Sequence, residues 1–141
     1  MTRLLLAAAL VLTLAPAARA HGNDELRWHG KTWAGCRMPF GTDHEIVRLI
    51  RCAADHYPVD IPTALRIAQA ESGLEASADN GGCCAGVFQQ HRSYWAGRLA
   101  AYNRSASWNL QAAPSVFNGR ANVLVSVWMA HHAGWGAWST Y

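Results

Sequence analysis

Asp60-Ile61-Pro62-Thr63-Ala64-Leu65-Arg66-Ile67-Ala68-Gln69-Ala70-Glu71-Ser72-Gly73 is the stretch from which the fold can be built outward. Asp60 is an N-capping residue, Pro62 falls in the first turn where its missing N–H costs nothing, and Gly73 supplies a terminator. Between them Ala64, Leu65, Ile67, Ala68 and Glu71 recur at helical intervals. Glu71 thus shares a small-residue, inward face with Ala64 and Ala68. It also sits in the last turn, where the helix dipole disfavours negative charge. Both effects push a carboxyl pKa upward and suit it to general-acid work. Spacing alone is more often that of an ordinary surface glutamate, since Glu is common in helices.

Upstream, Thr42-Asp43-His44-Glu45 has the spacing of a capping box. Ile46, Leu49, Ile50 and Ala53 then continue a first helix that ends before Pro58 and carries Cys52 near its buried side. Downstream, Asp79-Asn80-Gly81-Gly82 is rich in turn formers and leads to Cys83-Cys84 and a short run over 86–90 that fits strand or loop. Ser93 to Tyr102 predicts a helix despite Gly97, and residues 103–119 read as loop. A last helix from about Ala121 to His132 is apolar nearly all round, the mark of a helix inside a core, and Gly134 and Gly136 end it. The fold class is therefore mainly α, four helices with little strand over residues 42–141, preceded by an extended leader over 21–41 pinned by Cys36.

The 141 residues, 51% of them hydrophobic, suit one domain. Met1-Thr2-Arg3, an apolar run from Leu4 to Ala15, and Ala18-Arg19-Ala20 have the three zones of a signal peptide over residues 1–20, with cleavage expected between Ala20 and His21. That run is shorter than the ~20 residues that span a bilayer, so a secreted or periplasmic chain without stable membrane insertion is expected. Charge is divided unevenly: residues 21–79 hold all nine acids, and residues 80–141 hold Arg92, Arg98, Arg104 and Arg120 with no acid. The same half holds Trp95, Trp108, Trp128, Trp135 and Trp138. Cationic and aromatic surface of that kind suits an anionic polymer, although core tryptophans and solvated arginines explain it as well. In an exported chain Cys36, Cys52, Cys83 and Cys84 read as disulfide staples. A bond between the neighbours Cys83 and Cys84 closes a strained ring, so Cys36 and Cys52 are expected each to reach one of them. Adjacent cysteines without a second paired motif suit zinc poorly, and no metal or cofactor is implied.

Four fragments in order carry a resemblance. Ala68-Gln69-Ala70-Glu71-Ser72-Gly73-Leu74 and Gly86-Val87-Phe88-Gln89-Gln90 resemble the paired signature of the soluble (SLT) type of lytic transglycosylase, within the lysozyme-like superfamily. Phe117-Asn118-Gly119-Arg120-Ala121-Asn122-Val123 is similar to the family's segment that opens the next helix. Ala130-His131-His132-Ala133-Gly134-Trp135-Gly136 lines up with its Ala-Tyr-Asn-Ala-Gly-x-Gly. The likeness covers about residues 43–138.

The resemblance implies a small, disulfide-stapled lysozyme-like helical domain with a glycan-binding cleft, acting as a monomer on peptidoglycan glycan strands. It implies cleavage of the β-linked MurNAc-GlcNAc backbone with Glu71 as the single catalytic acid and an anhydromuramoyl product. Ser72 would touch substrate or orient Glu71, or else simply bond backbone at the helix end. Gln89 matches a substrate-contacting Gln, Gln90 is a further candidate, and Phe88 would line the groove floor. Trp135 and Trp138 would stack on sugar or pack as a lid. The chain departs from the family at His131-His132, where Tyr-Asn is usual, so His131 would stand near Glu71 and its titration would govern activity. Three other readings compete. A muramidase would pair Glu71 with Glu75 or Asp79, a non-catalytic wall-binding module would keep the groove alone, and a nucleic-acid binder would use the basic half.

Overall fold

The computed structural model describes Cys36 and residues 43–138. The expected signal peptide, Thr42 of the expected capping box, and the leader apart from Cys36 lie outside these residues. Among the described residues there are four α-helices, α1 (Asp43–His56), α2 (Ile61–Ser72), α3 (Arg92–Ser105) and α4 (Gly119–Ala133), and two short strands, β1 (Cys84–Ala85) and β2 (Gln90–His91). The molecule is mainly helical, as its periodicity predicts.

Local chemistry sets these boundaries. Asp60 accepts from the Thr63 N–H at 2.8 Å, and Asn118 accepts from the Ala121 N–H at 2.9 Å, so each of α2 and α4 begins on a side-chain cap. Gly73 ends α2 in the left-handed region at φ 67°. The run over 86–90 resolves as the tight turn and second strand of an antiparallel hairpin, with Cys84 opposite His91 and Ala85 opposite Gln90.

Helix α4 is the axis of the core. Ala121 through Val127 are buried in unbroken succession, which explains its lack of a polar face. Leu49, Ile50 and Ala53 of α1 and Ala64, Ile67 and Ala68 of α2 close around it. The loop from α3 to α4, which contains a 3-10 turn at Trp108–Leu110, is held by buried polar tips. Trp95 Nε1 donates to the Pro114 carbonyl at 2.7 Å, and the Tyr102 hydroxyl donates to the Leu110 carbonyl at 2.8 Å. Burial pushes the Tyr102 phenol well above its ordinary range. Arg120 gathers the carbonyls of Cys36, Asn109 and Gln111.

The disulfides correct the expected pairing. Cys36 bonds Cys52 with Cα atoms 5.8 Å apart, and Cys83 bonds its neighbour Cys84 with Cα atoms 3.7 Å apart. Cys52 lies on α1, whose main partners are α4 and α2, whereas Cys84 opens a hairpin that packs toward α3. The crossed arrangement would need α1 and the hairpin side by side. The turn before β1 is fixed instead by Asn80 Oδ1, which accepts from the N–H groups of Gly82 and Cys84 at 2.9 and 3.2 Å.

Candidate functional site

Glu71 occupies the last turn of α2 and is half-buried, on the face where Ala64 and Ala68 are fully buried. The chain leaves this turn sharply because Gly73 and Leu74 are both left-handed, with φ of 67° and 68°. Ser72 then bolts the helix end in place. Its hydroxyl donates to the Val87 carbonyl at 2.7 Å, lies 3.2 Å from the Ala68 carbonyl, and accepts from the Glu75 N–H at 3.1 Å. Ser72 is therefore a backbone-bonding residue that fixes α2 against the hairpin, one position from Glu71.

A cavity of about 350 Å³ opens beside this junction, lined by Glu71 together with Cys84, Gln89, Gln90, His91, Tyr94, Arg98, Ala137 and Trp138. The hairpin turn that presents the two glutamines is anchored from beneath by Asn122, which is fully buried on α4. Asn122 Oδ1 accepts from the Phe88 N–H at 2.8 Å, and Nδ2 donates to the carbonyls of Ala85 and Val116 at 3.1 and 3.0 Å. Gly86, at φ 78°, lies so close that a Cβ there would run into the Asn122 amide and the Val116 carbonyl. Gln89 sits at φ 43° with Nε2 donating to the carbonyls of Ala78 and Gly86 at 3.2 and 3.0 Å, which leaves its carbonyl oxygen for a ligand. Gln90 is 1% exposed, donates to Ser126 Oγ at 2.7 Å and accepts from Arg98 Nη1 at 2.6 Å. Its amide positions Arg98 and ties β2 to α4 rather than facing outward.

The acids near the site divide by task. Asp79 forms an ion pair with Arg92 and accepts from the Gly81 N–H at 2.8 Å, and these contacts, the Gly81 bond first, hold its carboxyl below the usual range. Glu75 is held down by the Ser77 hydroxyl at 2.6 Å and the Ser77 N–H at 3.2 Å. Both are exposed and neither lines the cavity, where Glu71 is the one carboxylate among the described residues. Arg98 is half-buried, and that burial lowers its pKa.

Of the residues singled out from the sequence, the structure gathers Glu71, Gln89 and Gln90 around one cavity and sets Ser72 directly behind it. His131 is not among them. Its Nδ1 lies 3.2 Å from the Pro58 carbonyl and its ring packs near Tyr57 and His132, at the opposite end of α2 from Glu71. Roughly 15 Å of helix rise separates these ends, so the expected partnership of His131 with Glu71 is not formed. Trp135 stacks on Phe88 with centroids 5.9 Å apart, behind the cavity wall, and Phe88 is fully buried as a core residue. Trp138 does reach the cavity, and its Nε1 donates to the Phe88 carbonyl at 2.8 Å.

Sequence reasoning missed His91, Tyr94 and Arg98. Their spacing of three and four residues places them on one face at the start of α3, directly after the glutamines, and that spacing is the signal that would have found them. The basic, tryptophan-rich half is mostly inward or engaged: Trp95 and Trp138 are buried, Arg120 binds backbone, and Trp108 is the exposed member at 80%. Among the described residues no group of three His, Cys, Asp or Glu gathers as a metal site, and no helix is long and apolar enough to cross a membrane. Comparison with protein-family models, curated proteins and solved structures gives no match.

Proposed function

We propose that the chain is an exported peptidoglycan lytic transglycosylase with a lysozyme-like helical fold, in which Glu71 is the single catalytic acid. The observation that carries this reading is a cavity with one carboxylate among the described residues, mounted at a helix end that Ser72 ties to the hairpin turn at Val87. Protonated Glu71 would donate to the glycosidic oxygen as the bond from muramoyl C1 breaks. The resulting carboxylate would then accept the proton of the muramoyl C6 hydroxyl while that oxygen attacks C1, closing the 1,6-anhydro ring without water. Gln89 would meet a sugar hydroxyl or acetamido N–H with its carbonyl oxygen. A hydrolytic route in the usual two-carboxylate manner needs a partner ~5–9.5 Å from the first, and Glu75 and Asp79 are engaged on Ser77 and Arg92.

The test is to incubate the oxidised chain, and its Glu71→Gln variant, with insoluble peptidoglycan and to weigh the released fragments by mass spectrometry. Anhydromuramoyl ends from the parent and none from the variant are expected. Reducing ends would replace the transglycosylase with a muramidase, and equal release by both proteins would remove Glu71 from the chemistry.

A further inference from the structure

The cavity is electrically lopsided. Besides Glu71 it is lined by His91, the N-cap of α3, and by Tyr94 and Arg98 in the first two turns of that helix. Helix α3 begins after His91 without a side-chain cap and without an acidic residue in its first turn, and its first N–H, that of Arg92, bonds the Cys83 carbonyl at 2.7 Å. Arg98 uses Nη1 on the Gln90 carbonyl oxygen and lies 5.4 Å from the centre of the Tyr94 ring. No carboxylate pairs with its guanidinium among the described residues; Glu71 lines the same cavity without an ion pair to it, and Asp79 is held by Arg92. His91 packs 4.7 Å from Tyr94, centroid to centroid, and its Nδ1 is buried with no hydrogen-bond partner. A half-buried cation without an anion and a buried imidazole nitrogen without a partner are each costly to leave so, and both fall in the same wall.

We infer that this wall is a carboxylate-binding subsite, with Arg98 supplying the guanidinium fork, fixed in direction by Gln90, and His91 a second donor after a small turn of its ring. A singly charged, planar anion matches the guanidinium fork in both shape and charge. The inference rests on the glycan reading and names the part of the substrate this wall selects. Peptidoglycan offers the required chemistry in two places, the 3-O-lactyl carboxylate of a muramic acid stripped of peptide and the carboxylates of an attached stem peptide. In either case charge would select among glycans of the same sugar sequence.

The experiment is calorimetric titration of the Glu71→Gln chain, which keeps ligands intact, with four tetrasaccharide ligands. These are a peptide-free muramic-acid tetrasaccharide, the same compound with its lactyl carboxylates converted to methylamides, its stem-peptide form, and neutral chitotetraose. The peptide-free acid should bind roughly tenfold tighter than its methylamide, with the difference shrinking as salt is raised. Arg98→Gln should abolish that difference, Arg98→Lys should restore part of it, and His91→Gln should reduce it. Preference for the stem-peptide form alone would keep the subsite and assign its source to the peptide. Equal binding of acid, methylamide, peptide form and chitotetraose by the Arg98-intact chain would overturn the subsite while leaving the glycan reading in place. Absence of binding to all four, together with no fragments released from whole peptidoglycan by the chain with Glu71 intact, would overturn both.

Discussion

Replacing Asn122 should unfasten the hairpin from α4 and cost the protein a large part of its stability. Asn122→Ala leaves the Phe88 N–H, a buried donor, without its acceptor at 2.8 Å, which costs ~1–3 kcal/mol. The carbonyls of Ala85 and Val116 each lose a donor, at about 1 kcal/mol apiece because a carbonyl oxygen has a second lone pair to use. The total of about 3–5 kcal/mol is comparable to the lower end of the ~5–15 kcal/mol by which such domains are stable. Asn122→Leu separates hydrogen bonding from cavity formation, since it restores the side-chain volume while leaving the same backbone groups unpartnered. Both variants should shift the urea midpoint by similar amounts at constant m-value. A leucine variant as stable as the parent would refute the reasoning, because it would show that the three bonds carry no net stability. Gly86 makes the reciprocal statement: alanine there meets the same amide and also requires φ of 78°, so Gly86→Ala should weaken the same junction.

Two further consequences concern covalent and acid stability. Reduction of Cys36–Cys52, which closes a loop of sequence separation 16, should lower stability by about 3 kcal/mol, whereas Cys83→Ala with Cys84→Ala should change the melting temperature little, because two adjacent residues have almost no loop entropy to lose; comparable shifts for both bonds would contradict this. Asp60, Glu75 and Asp79 all have folded pKa values below their unfolded ones, so the stability they contribute is complete above about pH 4.5 and is lost as pH falls through the lower folded values. Asp79→Asn should therefore flatten the acid limb of melting temperature against pH, and an unchanged limb would count against the Gly81 and Arg92 contacts. His56 is held below its ordinary value by burial and then by His131, so its protonation in the unfolded chain removes stability as pH falls below about 6.5, and His56→Asn should remove that slope.

The helices were legible because their ends are written in residues that act locally. Asp60, Pro62 and Gly73 each fix a cap or a turn without reference to the rest of the chain, and the apolar circumference of α4 announces burial whatever buries it. Glu71 was legible for the same reason, since its inward face follows from Ala64 and Ala68 three and seven residues before it. What was not legible depends on meetings across the fold. The partner of Cys52 is decided by which element α1 lies against, and His131 follows the direction of α4 past the start of α2, toward Pro58 and away from Glu71. Arg98 falls between these cases. Its helical register with His91 and Tyr94 is in the sequence, but its use as a cavity wall depends on Gln90 turning inward to hold it.

Polar groups around the cavity sort into those that build it and those left to act. Ser72, Asn122 and Gln90 would each be costly to bury alone, and each is bonded on more than one side to a different element. Together they connect α2 to the turn of the hairpin, the turn to α4, and β2 to both α3 and α4. A domain that needed only a core would not have to bury a hydroxyl and two amide side chains at this junction, with the desolvation that entails. Placing three bonded polar side chains at one junction instead fixes relative positions at atomic precision, because a hydrogen bond tolerates less displacement than an apolar contact does. What they fix is the location of the elements that carry Glu71, Gln89 and Arg98, all of which line one cavity. A solvated glutamate at the end of a surface helix requires no such frame, and the frame supports the proposal that Glu71 acts from a fixed position.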